Sequence, residues 1–313
     1  MPALTFSAWL APGDAAALES FESHAPLLSR IYPLWYFLGP DGPPQRRPDA
    51  GADARLRLTA LAREHGVELW PHLSAQDLSG PNLDPGRIRA YAAALLSLVQ
   101  EDGAQGVDLD CGTLPPAALG AFNAFAAEVC ANFHGAGLKV GVVLRAGSDV
   151  EAENEVALAS LCDRLQLLGP YPGLGGRGPA GAPAPLAPPE WCGEVLARVS
   201  AVARAAKLEW GLPGCGRDWG PDGSALDLSW SRWGALVAAH PPERRDPGTA
   251  ELTLRHGDRE AWTNDAISLT AKLWQIRLHG VVEAALWGLG DEDPRLWALL
   301  DSLPKNFLGT EEA

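Results

Sequence analysis

The sequence has few of the features that mark metal, redox or zinc-binding proteins. Its five cysteines are odd in number and contain no Cys-x-x-Cys pair, which argues against structural zinc and thioredoxin-like sites. Its seven histidines form neither His-x-x-x-His nor His-Glu-x-x-His, so we expect no metal and no other cofactor. The cysteines are therefore expected to be free, buried thiols.

Basic charge and long apolar runs are also scarce. The chain has 39 acidic and 25 basic residues, a formal net charge of −14, whereas nucleic acids and anionic membrane surfaces require a basic footprint. No apolar run reaches the ~18 residues of a membrane span, and residues 1–9 lack the basic segment of a signal peptide. We expect a cytoplasmic protein, or one of the cell wall or exterior if a leader was trimmed from this sequence. The oligomeric state is left open.

Short apolar runs alternate with helical patterns along the chain. Eight runs are typical of strands, and they span residues 4–10, 30–37, 67–73, 106–111, 138–144, 164–168, 208–213 and 282–287. Predicted helices between and after them include 13–24, 53–65, 151–162, 191–206, one opened by Asp84-Pro85 and one capped by Asn264-Asp265. Eight parallel strands with helices between them close a barrel, so we predict an α/β fold, a (β/α)8 TIM barrel of one domain over 1–313.

Two segments are longer than a barrel connection needs. Residues 171–189 are rich in glycine, proline and alanine, which predicts a long loop after the sixth strand, at the face where barrel sites are built. Residues 217–262 hold a helical piece at 230–239 and a strand-like piece at 251–255. They predict a small α+β insertion between the seventh and eighth strands.

The fourth predicted strand carries two carboxylates. Asp108 and Asp110 are two residues apart, so they lie on one face of the strand, while Val107 and Leu109 occupy the other. Buried carboxylates are costly unless they are paired or hydrogen-bonded. The pair therefore indicates a functional site, with a structural carboxylate pair as the alternative.

Four stretches match a known pattern. They are Gly106-Val-Asp108-Leu-Asp110 with Thr113-Leu-Pro-Pro116, Leu208–Pro213 with Gly216–Trp219, Glu260–Asp265, and Trp287–Trp297. Together they resemble glycoside hydrolase family 18, in particular its chitinases and spore-cortex peptidoglycan N-acetylglucosaminidases. The resemblance extends from Ser29 to Trp297, and the last stretch is the longest and most specific. It implies a glycosidase barrel.

The resemblance also locates a missing group. In the family the fourth-strand motif reads Asp-Gly-x-Asp-x-Asp-x-Glu, in which the Glu is the general acid. The Asp before it orients the N-acetyl group that attacks the anomeric carbon. Here Gly112 stands at the Glu position and Gln105 at the first Asp, leaving Asp108 and Asp110 as remnants of the motif. Glycine has no proton to donate, and that donation is typically worth ~10²- to 10⁴-fold in rate.

Other positions of the family pattern differ as well. The sixth-strand Met-x-Tyr-Asp is replaced by Leu168-Gly-Pro-Tyr171, and the aromatic residue of the seventh strand by Cys215. We therefore predict a catalytically inactive protein that binds an N-acetylglucosamine-type glycan, such as a chitin or peptidoglycan fragment, at the former active site.

Aromatic and acidic side chains are the predicted ligand contacts. The resemblance implies that Trp287 forms the floor of the sugar subsite, because aromatic faces stack on sugars while carboxylates accept hydrogen bonds from sugar hydroxyl groups. The predicted substrate-binding residues are Asp108, Asp110, Trp287, Tyr171, Trp219 and Trp35. Trp9, Trp210, Trp274 and Trp297 lie on apolar faces and are predicted to be core.

Two alternatives stay open. One is an active glycosidase that hydrolyses O-glycosyl bonds with an unrecognised acid. Glu283 would face the barrel interior, but four residues at ~3.3 Å each place it ~13 Å below Trp287, where a buried partner such as Arg145 or Lys139 fits better. The other alternative is a non-catalytic scaffold that binds protein through the long loop and the insertion.

Overall fold

The computed structural model describes residues 4–39, 42–75, 84–110, 112, 116–146, 157–169 and 182–302. Three sequence predictions therefore lie wholly or partly outside the described residues. They concern Tyr171 and most of the 171–189 loop, Cys111, and residues 151–156 of the helix predicted at 151–162.

A large, curled, mainly parallel sheet forms the centre of the molecule. Its strands are β1 (Thr5–Leu10), β2 (Arg30–Pro33), β3 (Tyr36–Phe37), β4 (Gln45–Arg46), β5 (Glu68–Leu69), β6 (His72–Ser74), β7 (Gly106–Asp110), β8 (Lys139–Arg145), β9 (Arg164–Leu168), β10 (Leu208–Pro213) and β16 (Glu283–Trp287). They pair in the order β4-β3-β6-β7-β8-β9-β10-β16-β1-β2-β5, and only β3 and β4 run antiparallel. All eight runs predicted as strands contribute to this sheet.

Two of the predicted strands are split into short pieces. The run 30–37 forms β2 and β3, and the run 67–73 forms β5 and β6. The pieces pair separately, with Arg30 opposite Glu68 and Tyr36 opposite Leu73. Pro71 lies between β5 and β6 and has no N–H to donate, so the ladder is interrupted there.

Helices lie between the strands. They are α1 (Ala15–His24), α2 (Ala52–His65), α3 (Pro85–Glu101), α4 (Pro116–Gly135), α5 (Pro189–Ser200), α6 (Trp230–Ala239), α7 (Ala266–Leu278) and α8 (Arg295–Ser302), and residues 157–161 are also helical. The predicted caps are confirmed, since Asp84 accepts two backbone N–H bonds at the start of α3 and Asp265 forms a capping box with Ser268. Among the described residues, no helix is long and apolar enough to span a bilayer.

The two faces of β7 separate two apolar clusters. Val107 and Leu109 pack in the main core with α4 side chains such as Phe122. On the inner side of the sheet, Trp9, Tyr32 and other side chains form a second cluster beneath the carboxyl ends of the strands. The predicted alternation along β7 is therefore confirmed.

Trp274 departs from its predicted position. Trp9, Trp210 and Trp297 are buried as predicted, but Trp274 is 42% exposed. On α7 the buried apolar positions include Leu273, and the next residue along a helix points away from that face.

The predicted partners of Glu283 are wrong. Glu283 begins β16 level with Glu209 on β10, at the amino-terminal end of the sheet. It pairs there with Arg30 at 3.4 Å and Arg164 at 2.5 Å. Arg145 is at the opposite end of its strand, and the Lys139 ammonium pairs with Asp163.

A second sheet lies between β10 and α7 in the chain. Its strands are β11 (Gly216–Trp219), β12 (Ala225–Leu228), β13 (Arg244–Arg245), β14 (Leu252–His256) and β15 (Arg259–Thr263), all antiparallel, in the order β12-β11-β15-β14-β13. Trp233 of α6 packs on Leu228, Leu252 and Leu254 of this sheet. Its residues correspond to the α+β segment expected at 217–262.

A buried ion pair ties this second sheet to α7. Lys272 donates to Glu251 at 2.9 Å and to Asn264 at 2.7 Å, and both charged side chains are fully buried. The second oxygen of Glu251 accepts the Leu186 backbone N–H. Desolvation raises the pKa of Glu251, so the lysine is needed to hold its charge.

Removing that lysine should be costly. In Lys272→Met the carboxylate of Glu251 stays buried without its cation, and breaking such a pair typically costs about 3–5 kcal/mol. Urea denaturation should show a loss of this size in the free energy of unfolding. Lys139→Met is the matched control, because the Lys139–Asp163 pair is largely exposed and should cost about 1 kcal/mol or less. Equal losses in the two variants would contradict the assigned role.

Candidate ligand-binding site

A cavity of about 280 Å³ opens at the carboxyl ends of the parallel strands. The last residues of five strands reach it, namely Ser74, Asp110, Arg145, Leu168 and Trp287. Its lining residues with carboxylate, guanidinium or imidazole side chains are Arg47, His72, Asp110, Arg145, Arg217 and Asp227. In barrels of this type the carboxyl-terminal face carries the site, so this cavity is the candidate.

Asp108 lies below the cavity, fully buried. Its Oδ2 accepts a hydrogen bond from Trp9 Nε1 at 2.8 Å and lies 2.7 Å from His72 Nδ1. The residue is therefore held by side chains of the adjacent strand β6 and of the more distant strand β1, and it is not among the residues that line the cavity. Asp108 can orient His72, but it has no direct contact with the cavity space.

Asp110 lies at the cavity, and both of its oxygens have protein donors. Oδ1 accepts the Gly112 backbone N–H at 2.7 Å, and Oδ2 accepts Arg145 Nη2 at 2.5 Å. His72 Nε2 also lies near this carboxylate, 3.6 Å from Oδ2. The carboxylate is thus paired with a guanidinium whose side chain is only 13% exposed, which makes the pair less screened than a surface pair.

His72 connects the two carboxylates, and it was missed in the sequence. Its ring is 2% exposed, with Nδ1 at Asp108 and Nε2 towards Asp110 and the cavity. A neutral imidazole that donates from Nδ1 to Asp108 leaves Nε2 as an acceptor. The available signal was its place at the carboxyl end of the third predicted strand, since such ends meet at one face of a barrel.

Trp287 forms an aromatic wall of the cavity. Its ring centroid is 5.6 Å from that of Trp9 and 6.4 Å from that of His72. Trp287 is half-buried, so part of its surface faces the cavity. The structure therefore brings Trp287, Asp110 and, one layer below, Asp108 together.

Two other lining residues cannot supply a proton readily. Burial raises the pKa of the Cys215 thiol to about 12, so it stays protonated and unreactive near neutral pH. Burial and the nearby Asp102 also raise the pKa of Tyr36, whose hydroxyl donates to Asp102 Oδ2 at 2.7 Å. Neither group is suited to acid–base chemistry at neutral pH.

A second acidic group reaches the cavity from the antiparallel sheet. Asp227 of β12 lies 3.2 Å from Arg217 Nε, and both residues line the cavity. Asp291 follows β16 and lies close to Gly288. A Cβ atom added to Gly288 would be 3.6 Å from Asp291 Oδ2 and 3.8 Å from the Cβ of Cys215. Burial, with the negative charges of Asp14, Glu292 and Asp227, raises the pKa of Asp291.

Two predicted contact residues are placed away from the cavity space. Trp35 is 3% exposed, belongs to the main core and is not a lining residue, so the structure does not support it as a ligand contact. Trp219 is 1% exposed and packs behind Cys215 in the inner cluster that Trp287 also touches. Tyr171 lies outside the described residues.

The described part of the chain has no cluster of metal-ligating side chains. There, no group of three or more histidine, cysteine, aspartate or glutamate side chains is arranged to hold a metal ion.

The fold of this chain is similar to the folds of several solved structures. No family model and no curated protein matches the sequence. A class V chitinase from Pseudomonas fluorescens Pf-5 superposes with a TM-score of 0.84 and 22% identity, covering 96% of this chain and 99% of that one. The spore cortex-lytic enzyme SleL of Bacillus cereus gives 0.81 and 18%, covering 100% of this chain and 76% of that one.

A third structure contains a sugar. Catalytic domain 2 of the Ostrinia furnacalis Group II chitinase, a mutant in complex with penta-N-acetylchitooctaose, (NAG)5, gives a TM-score of 0.75 at 15% identity, covering 99% of this chain and 97% of that one. These proteins share a TIM-barrel-like architecture with this chain. The chain has a glycoside hydrolase family 18-like fold.

The buried thiols make a direct test of the site's packing. Burial raises the pKa of Cys130, Cys162, Cys192 and Cys215 to about 12 in each case. At pH 8 roughly one such thiol in ten thousand is ionised, so iodoacetamide should leave all four unmodified in the native protein. Peptide mass spectrometry, with a urea-unfolded control in which all four react, checks this. Rapid native alkylation of Cys215 would mean that the cavity wall is open.

Proposed function

We propose that this protein is a non-hydrolytic relative of the family 18 glycosidases that binds an amino-sugar glycan in the cavity beside Trp287. The proposal includes a complete (β/α)8 barrel, with the antiparallel sheet and α6 as an insertion after the seventh strand. β2 pairs with β5 at one end of the sheet order, and β3 pairs with β6 near the other end. Because β2 continues into β3 and β5 continues into β6, these two pairings bring the two ends of the sheet together, which supports closure of the barrel.

One observation in particular supports the proposal that the protein does not hydrolyse its ligand. Two residues after Asp110, at the position where the family's acid would stand, Gly112 offers only a backbone N–H, and that group donates to Asp110. The two carboxylates that line the cavity, Asp110 and Asp227, are ion-paired with Arg145 and Arg217. An ion-paired carboxylate accepts hydrogen bonds from its partner's N–H groups and stays ionised, so it has no proton to donate to a leaving oxygen.

The accessible aromatic wall supports ligand binding over a purely structural role. Trp287 lines the cavity with part of its ring surface exposed, and polar groups converge on the same space. Concave sites with an aromatic face and a few placed polar groups are the usual design for small ligands. A purely structural scaffold with a closed pocket would need neither an exposed aromatic face nor polar groups that converge on it.

A residual glycosidase activity is the second candidate function, and two groups favour it. His72 Nε2 faces the cavity from a ring oriented by Asp108, as a general acid or base would require. Asp291 and Cys215 both lie close to Gly288, the residue after Trp287, and the raised pKa of Asp291 favours the protonated form that an acid catalyst needs.

Turnover separates these two functions. With a chromogenic chitobioside as substrate, the unaltered protein should release no chromophore above the buffer rate over many hours, because the described carboxylates that line the cavity are both held in ion pairs. His72→Gln and Asp291→Asn serve as controls against contaminating activity. Release by the unaltered protein that disappears in either variant would overturn the non-hydrolytic proposal and name the acid.

Binding should depend on Trp287. Truncation to alanine removes roughly 100 Å² of apolar contact, which at ~25 cal/mol per Å² corresponds to about a 10- to 100-fold weaker Kd for a chitooligosaccharide. Isothermal titration calorimetry measures the change. Trp274→Ala is the matched control, since Trp274 lies on α7 and does not line the cavity. Equal affinities in the two variants would place the glycan elsewhere.

A further inference from the structure

The charge of the cavity differs from that of the chain. The sequence carries a formal net charge of −14, yet the described residues that line this one cavity include three guanidinium groups and two carboxylates. The arginines come from three separate places in the chain, since Arg47 follows β4, Arg145 ends β8 and Arg217 is in β11. Arginine is the residue best suited to recognise carboxylates in fork geometry.

Asp110 is the carboxylate that the family resemblance assigns to the N-acetyl group of the sugar, and here it already accepts hydrogen bonds from the protein. Asp110 uses Oδ1 for the Gly112 N–H and Oδ2 for Arg145. An amide or hydroxyl hydrogen of a ligand would have to compete with a guanidinium at 2.5 Å for Oδ2. The site at Asp110 therefore offers donors to a ligand more readily than acceptors.

Those donors are not used up. Arg145 commits Nη2 to Asp110, and a guanidinium has five N–H groups on three nitrogens. Arg47 commits Nε and Nη2 to Asp49 at 3.0 and 2.9 Å, which fixes the plane of its fork and leaves Nη1. Asp49 is 51% exposed and does not line the cavity, so solvent screens it more than it screens the side of Arg47 that reaches the cavity.

The third arginine that lines the cavity is different. Arg217 is offset by Asp227, and Asp291 adds a further carboxyl nearby. An anionic group would therefore be placed towards Arg47 and Arg145, with the sugar ring against Trp287.

We propose that the ligand is a carboxylate-bearing saccharide whose carboxylate is bound by Arg145 and Arg47. This inference rests on the proposed function, because it assumes that a glycan occupies the cavity. It adds that the acidic substituent, and not the N-acetyl group alone, decides which glycan binds.

Three ligands test the inference on the same protein. Calorimetric titration with the disaccharide N-acetylglucosaminyl-N-acetylmuramic acid, with its carboxyl methyl ester and with N,N′-diacetylchitobiose should give at least tenfold tighter binding of the free acid. The preference should shrink as salt is added, since ion pairing is screened. Equal or tighter binding of the ester or of chitobiose overturns the inference but leaves glycan binding intact. If none of the three binds at millimolar concentration, the proposed function fails too.

Variants assign the preference to the two arginines. Arg47→Gln should reduce the acid-over-ester ratio severalfold with little effect on folding, because its partner Asp49 is exposed. Arg145→Lys keeps the charge beside Asp110 but removes the fork, and it should also reduce the ratio. Arg57→Gln is the control, because Arg57 forms an exposed ion pair with Glu22 away from the cavity. A ratio unchanged in both Arg47→Gln and Arg145→Lys overturns the assignment.

Discussion

The arrangement of the cavity depends on how two adjacent carboxylates are stabilised at the end of one buried strand. Asp108 and Asp110 share a face of β7, and uncompensated burial of both charges would cost more than the fold can supply. The protein meets this cost with Trp9 and His72 at Asp108 and with Arg145 at Asp110. The groups that stabilise the carboxylates are therefore the same groups that determine what they can do.

Under the proposed function, the chain keeps the fold of its structural relatives without their hydrolytic chemistry. A TIM-barrel-like frame needs the apolar alternation of its strands, and that alternation is intact in β7 and its neighbours. Bond cleavage needs in addition a proton donor at one position, where this chain has Gly112. Stability and catalysis thus rest on different residues, so one can persist without the other.

Much of the fold follows from local patterns, whereas the site contacts depend on register. The strand positions, the caps at Asp84 and Asp265 and the alternation along β7 are written in the sequence over a few residues each. That His72 meets Asp108 depends on the pairing of β6 with β7, and that Arg145 meets Asp110 depends on the pairing of β7 with β8. No short stretch contains these pairings, which is why Arg145 was assigned to Glu283 at the wrong end of the sheet.

The most direct measurement is a crystal structure of the protein soaked for days with a carboxylate-bearing disaccharide of the N-acetylmuramic type. The expected result is an uncleaved disaccharide against Trp287, with its carboxylate on Arg145 and Arg47 and with the Asp110–Arg145 contact preserved. A cleaved sugar in the cavity, or an intact one bound elsewhere while the cavity stays unchanged, would contradict the central claim.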